Sequence, residues 1–207
     1  MSIFEIADQL LTLDPETTEP RDLPGRYGRV VASLEKLLLA VDTQSVVAGG
    51  WAVWKHGYSG RVTQDIDIVV AQDAVDSLLR LADIAGFQPL EHRPGRWPKL
   101  KHKETSIEVD FIPEGGIPGI PSNLGPVPIS HPGNYGGELG RLKYITLRGL
   151  IELKLGSYRA KDQADVVELL KQNWDQWPAI ANSLAEVHPV LAQRFTGCVA
   201  EARNEQE

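Results

Sequence analysis

The sequence contains a single cysteine, Cys198, which excludes a disulfide framework and any cysteine-rich zinc module. It also lacks an excess of positive charge: 21 lysines and arginines stand against 28 aspartates and glutamates, a net charge of −7. That balance excludes a general polyanion binder but leaves room for a local basic patch. No apolar run approaches the roughly 18 residues of a membrane span. The first residues, MSIFEIADQL, are acidic and amphipathic, unlike a signal peptide. A soluble cytoplasmic protein with no membrane partner is expected. The histidines His56, His92, His102, His131 and His188 are scattered without metal-ligand spacing, so no zinc site is expected. What is present is an ordinary globular composition over 207 residues, 42% hydrophobic and 24% charged. A chain of this length buries something like 70% of its unfolded surface on folding and needs no staple.

The pattern along the chain is that of an α/β protein. Residues 1–44 read as helical, broken by Pro15, Pro20 and Pro24. The second piece, Tyr27–Val41, carries Val30, Val31, Leu34, Leu37, Leu38 and Val41 as a helical stripe. Ser45–Ala48 reads as a buried strand ending in Gly49-Gly50, followed by a short helix from Trp51. Asp65–Val70 is the next strand, and Gln72–Gly86 an amphipathic helix stopped by its glycine. Short strands are expected between 87 and 112. The Pro/Gly-rich stretch 113–140 is too long for a structureless loop and reads as a wrapped excursion or an extra hairpin. From Thr146, a plausible N-cap, the chain is helical. The expected organisation is an N-terminal helical segment over 1–44, an α/β core over 45–145, and a helical region over 146–207 completing the same domain.

The chemistry is concentrated in Gly49–Val70, GGWAVWKHGYSGRVTQDIDIVV. Two glycines between a strand and a helix let a ligand approach the backbone closely. Asp65 and Asp67, at i and i+2 of a strand, place both carboxylates on one face. Such a pair repels itself unless a cation lies between, and magnesium favours one or two carboxylates together with phosphate oxygens. In Ser106–Ile112, SIEVDFI, Ile107, Val109 and Phe111 alternate with Glu108 and Asp110. Asp110, flanked by apolar residues, is the preferred third acid, and Glu108 is its alternative on the same face. Three such acids can hold two Mg²⁺ ions.

These residues resemble the nucleotidyltransferases of the DNA polymerase beta-like superfamily, whose hallmark is a Gly-Gly turn opening a helix, Asp-x-Asp on the next strand and a later third acid. Gly49-Gly50, Asp65-Ile66-Asp67 and Asp110 stand in that order. The Gly-Gly-Trp-Ala wording is similar to the lincosamide nucleotidyltransferases, and Arg61-x-Thr63-x-Asp65-Ile66-Asp67 to the abortive-infection, type IV toxin branch. The resemblance covers about residues 45–170. It implies a polymerase beta-like core with a mixed sheet, flanking helices and a C-terminal helical part. It implies transfer of a nucleoside monophosphate from NTP to an acceptor hydroxyl, releasing pyrophosphate, with Mg²⁺, in two ions, as cofactor. Asp65, Asp67 and Asp110 are then the catalytic metal ligands, and Gly49, Gly50, Trp51, Arg61, Thr63 and Lys154 the nucleotide contacts. Trp51 departs from the family, where Ser or Thr commonly follows the glycines.

Lys154, Tyr158, Lys161 and Asp165 fall on one helical face provided Gly156 does not break the helix; a solvent face of ion pairs such as Lys161–Asp165 is the plainer reading. Arg93, Arg96, Lys99, Lys101 and Lys103 form a thin basic patch that could steer an anion. Trp174 and Trp177 read as core, and Cys198 as an incidental buried thiol. The expected partners are NTP and a small-molecule or protein hydroxyl acceptor, favoured over tRNA, and an antitoxin if the chain is a toxin. A catalytically inactive nucleotide- or partner-binding protein is the rival, supported by Trp51 alone.

Overall fold

The computed structural model describes residues 25–60, 63–91, 96–120, 123–136 and 143–205. Helix α1 (Gly25–Val41) turns the expected stripe inward: Val30, Val31, Leu34, Leu37 and Leu38 are all buried. The helix expected before it lies outside the described residues. Strand β1 (Ser45–Val47) runs into α2 (Gly49–Lys55), and β2 (Ile66–Val70) follows. A 3₁₀ turn at Gln72–Ala74 leads to α3 (Val75–Leu81), shorter than the amphipathic pattern suggested. The strands expected between 87 and 112 are β3 (Phe87–Pro89), β4 (Lys99–His102) and β5 (Glu108–Pro113).

These strands and β8 (Lys143–Tyr144) form one mixed sheet in the order β3-β4-β5-β2-β1-β8. Pairs β2–β5 and β1–β8 are parallel, and the others antiparallel. Period-two alternation divides each strand between two cores. Ile66, Ile68 and Val70 of β2, Val109 and Phe111 of β5 and Leu100 of β4 pack with α1 and α3 on one face. Val46 and Val69 face the other way, toward the C-terminal helices. Asp67 and Asp110, out of phase with the first set, therefore point to the C-terminal side.

That side is covered by α4 (Leu147–Ser157), α5 (Ala160–Gln172), α6 (Trp177–Val187) and α7 (Pro189–Asn204). Thr146 caps α4 as expected, its Oγ1 accepting from the Gly149 N–H at 3.2 Å. The helix does run through Gly156 but stops just beyond it. Helix α4 ends at Ser157, Tyr158 takes a left-handed φ of 47°, and Arg159 opens α5. The Asp162 carboxylate accepts the Arg159 backbone N–H at 3.3 Å, satisfying a donor that a new helix start leaves orphaned. Lys154 and Asp165 thus lie on two helices of a helical hairpin.

The Pro/Gly-rich stretch is a wrapped excursion with a hairpin in it. Strands β6 (Gly119–Ile120) and β7 (Asn123–Leu124) pair, and Gly115 and Ile129 N–H groups donate to the Ile129 and Gly116 carbonyls at 2.8 Å. Trp174 and Trp177, 6.2 Å apart between ring centroids, are half-buried against the C-terminal core, and burial pushes the Cys198 thiol up to about 11. No helix among the described residues is long and apolar enough to cross a membrane.

Candidate active site

The C-terminal helices stop short of the sheet end that carries the acids, leaving an open cavity of ≈ 620 Å³. Asp65, Asp67, Glu108 and Asp110 line its sheet side; Lys154, Arg159, Lys161 and Asp162 line its helix side. The register explains the acid wall. Asp67 and Asp110 are direct partners across the parallel β2–β5 pair, so their side chains stand beside each other on one face. Asp65 is two residues earlier on the same side, and its charge helps raise the Asp110 pKa.

The glycines are required by these acids. Gly49 has a φ of +59°, and a Cβ there would lie 1.7 Å from Asp67 Oδ2. Only a residue without a side chain permits the carboxylate to rest on that backbone. The Ala48 N–H donates to the Asp67 carbonyl at 2.8 Å, tying the turn to β2. Gly50 makes a different close approach: its Cβ would lie 2.6 Å from that of Thr63. Gly49 lines the cavity, whereas Gly50 is a packing position against Thr63. Thr63 in turn donates its hydroxyl to Asp65 Oδ1 at 2.9 Å, orienting the first acid.

Trp51 requires a correction. Its indole is fully buried, 5.5 Å from the Tyr27 ring between centroids, in the core on the α1 side of the sheet. A side chain at that phase of α2 points away from the cavity, so Trp51 makes no side-chain contact with a nucleotide there. Arg61 lies outside the described residues, as does Arg93 of the basic patch. Lys154 is nearly enclosed, its Nζ 2.6 Å from Asp165 Oδ2 and 3.7 Å from Asp162 Oδ1, with its stem on the cavity wall.

Sequence reasoning misplaced one residue of consequence. Lys99, read as part of the basic patch, sits 2.8 Å from Asp110 Oδ1 and 3.2 Å from Glu108 Oε2. Burial pushes the Asp110 carboxyl up from its ordinary value despite this pairing, and the two carboxylates outweigh burial to raise the Lys99 ammonium. The alternation of Lys99 and Lys101 with buried Leu100 was the available signal, since it puts both lysines on the acid face. Lys103 is likewise engaged, 2.5 Å from Asp83 Oδ1.

Arg159 was missed as well. Its guanidinium holds Asp162 through Nε at 2.6 Å and Nη2 at 3.2 Å, and it feels the charge of Asp67 across the cavity. Ser157 also donates to Asp162, and although burial opposes them these partners and Lys154 hold that carboxyl below its usual range. Trp97 brings an aromatic face to the lining, packed over Gly116, where a Cβ would come within 2.6 Å of the ring. No spacing in the sequence marks either residue.

The donor set on the sheet side is all carboxylate oxygen, the kind that suits a hard divalent cation. Among the described residues no three such groups converge as they stand into a metal cluster. Lys99 already occupies the Asp110 side.

A glycine turn resting on one acid of the Asp-x-Asp motif, with a third acid level with it on a parallel neighbour, is the arrangement that the resemblance to the polymerase beta-like nucleotidyltransferases leads one to expect. The family model for aminoglycoside-2''-adenylyltransferase matches residues 30–114, from α1 through the strand of Asp110. Among solved structures the chain is similar to the antibiotic-resistance factor ANT(2'')-Ia in solution, at 18% identity and a TM-score of 0.45, over 86% of this chain and 97% of that one. It is similar to the crystal structure of ANT(2'')-Ia with adenylyl-2''-tobramycin, at 15% identity and 0.44, over 81% and 95%. An antigenic nucleotidyltransferase-like protein from Paracoccidioides brasiliensis gives 16% and 0.41, over 81% and 90%. Comparison with curated proteins finds no match.

Proposed function

We propose that the chain transfers a nucleoside monophosphate from NTP to a hydroxyl of a small molecule, with a divalent cation of the Mg²⁺ type. The observation that carries this reading is the pairing of Asp67 with Asp110 on one face of a cavity whose opposite wall carries Lys154, Arg159 and Lys161 together with Asp162. Asp65 and Asp67 are the residues to hold the cation, which when bound neutralises the triphosphate and the charge that develops at the α-phosphorus.

Each remaining part is assigned to a group of this chain. Lys154 and Arg159, on the helix wall, take phosphate oxygens, and the Gly49 backbone lets the phosphates approach Asp67. Thr63 keeps Asp65 oriented. Asp110 receives the proton of the acceptor hydroxyl as its oxygen bonds to the α-phosphorus, while the bond to the β-phosphate bridge breaks and pyrophosphate leaves. Positioning and charge neutralisation do most of this work.

Amino sugars are the first acceptors to test, since the matched family is named for a 2''-hydroxyl of an aminoglycoside and the cavity has an acidic wall to meet ammonium groups. No antitoxin enters the proposal. The non-enzymatic reading rested on Trp51, whose side chain belongs to the core and not to the cavity. The test is transfer of label from each α-labelled NTP, with Mg²⁺, to a panel of amino sugars and polyols. A labelled adduct is the expected result. NTP binding without transfer to any acceptor or to the protein itself would leave a binding protein instead.

A further inference from the structure

Resting on that metal-dependent reading, we propose that Lys99 is a built-in counter-cation at the second metal position, so that this chain holds one divalent cation where its three carboxylates alone would hold two. The observation is a transverse row across three strands. Asp67 pairs with Asp110 from β2 to β5, and Asp110 pairs with Lys99 from β5 to β4. Residues directly opposite one another share a face, so acid, acid and ammonium stand side by side at one level.

Asp110 therefore has an anion on one side and a cation on the other. Two neighbouring carboxylates are costly without positive charge, and Lys99 supplies a single charge where a metal ion would supply two. Its Nζ lies 2.8 Å from Asp110 Oδ1 and 3.2 Å from Glu108 Oε2, so it engages the preferred third acid and its alternative at once. The position is fixed by its own strand: Leu100, next in sequence, is fully buried on the opposite face, which leaves Lys99 no other direction. A divalent ion coordinating Asp110 Oδ1, or bridging it to Glu108 Oε2 at the second position, has to displace this ammonium from those oxygens. The site formed by Asp65 and Asp67 lies on the far side of Asp110 and does not meet that competitor. Lys99 thereby keeps Asp110 available as a proton acceptor facing the acceptor hydroxyl, with the charge of the row partly balanced before any metal enters.

The experiment counts Mn²⁺ bound per chain by the loss of the free-ion resonance, with one equivalent of a non-hydrolysable NTP analogue present. Wild type is expected to bind one ion in the micromolar range and a second at least tenfold more weakly. Lys99→Met and Lys99→Gln should bind two ions of comparable affinity, and Lys99→Arg, which keeps the charge, should return to one. Two equally tight ions in the wild type, or unchanged counts in both neutral variants, would overturn the role of Lys99 while leaving the metal-dependent reading in place. No bound Mn²⁺ in any of the proteins would overturn that reading and this inference together.

Discussion

Asp65, Asp67 and Asp110 share a wall but are given different work, and this difference is testable residue by residue. Asp65→Asn with Asp67→Asn removes the proposed cation site while keeping oxygen acceptors for the Thr63 hydroxyl. NTP binding by calorimetry should fall below detection with Mg²⁺ present. The metal-free thermal midpoint should stay level or rise, because clustered negative charge is relieved. An undiminished NTP affinity would remove the two acids from the site. Asp110→Asn should leave NTP affinity within a few-fold yet lower turnover by 10²-fold or more, roughly the span of general-base catalysis. If Glu108→Gln abolishes turnover instead, the face is correct and the base is the other acid on it.

At the scale of elements, the break between α4 and α5 gives the helix wall its form. A left-handed Tyr158 is unfavourable for a residue with a side chain, by about 1–2 kcal/mol. It is held by Arg194 of α7, whose guanidinium lies 4.4 Å from the Tyr158 ring centroid and donates to the carbonyls of Leu155 at 2.6 Å and Gly156 at 3.2 Å. These are carbonyls that a helix end leaves unsatisfied. Arg194→Ala should cost about 1.5–3 kcal/mol in urea denaturation, the range for hydrogen bonds from a charged donor. Arg194→Lys should recover little, since an ammonium lacks the planar group that lies over the Tyr158 ring while its Nη1 serves both carbonyls. Recovery by lysine to near the wild-type value would show that charge alone caps the helix.

A second element-level clasp joins α1 to the β4–β5 turn. His102 is buried, with Nε2 3.2 Å from Ser33 Oγ and Nδ1 2.9 Å from Thr105 Oγ1, and Nδ1 also accepts the Thr105 N–H at 3.3 Å. Burial, aided by the Arg29 charge and opposed by Glu104, lowers its pKa from the ordinary 6.5. His56, whose Nε2 lies 2.8 Å from the Ile145 carbonyl oxygen, is lowered too, burial again leading. The unfolded chain therefore takes up protons first as pH falls through 6.5, and stability declines until the folded imidazoles also titrate. Burial raises Asp110 and Glu152, so these carboxyls act with the opposite sign at lower pH. Between pH 7.5 and 5.5 the thermal midpoint should drop, and it should drop less in His102→Gln. An equal drop in both proteins would clear His102 of the effect.

Across the whole molecule, a net charge of −7 and a basic patch whose Lys99 and Lys103 are already paired with acids of the chain leave little long-range attraction for nucleic acid. Transfer to a small acceptor should thus change only slightly between low and physiological salt. A polynucleotide acceptor would instead show a log–log slope of roughly −0.7 per phosphate contact on single strands. Activity on RNA with such a slope, lost in Lys101→Ala with Lys103→Ala, would reassign the acceptor.

The sequence by itself determined the stripe of α1, the strands bearing Asp67 and Asp110 with Asp65 just ahead of the first, the N-cap at Thr146 and the glycine turn, because periodicity, capping and backbone freedom are local properties. It also placed the acids on one face, since alternation along a strand is a local rule. It did not determine what stands opposite those acids. The side-by-side pairing of Asp67 with Asp110 and of Asp110 with Lys99 depends on strand order and register, which are set by packing of two cores on the sheet. The same holds for Trp51, which the glycine motif drew toward the nucleotide and which the phase of α2 directs to Tyr27 instead. Lys154 and Asp165 meet only because tertiary capping by Asp162 and Arg194 ends one helix and begins another, a contact of residues distant in sequence that no helical period encodes.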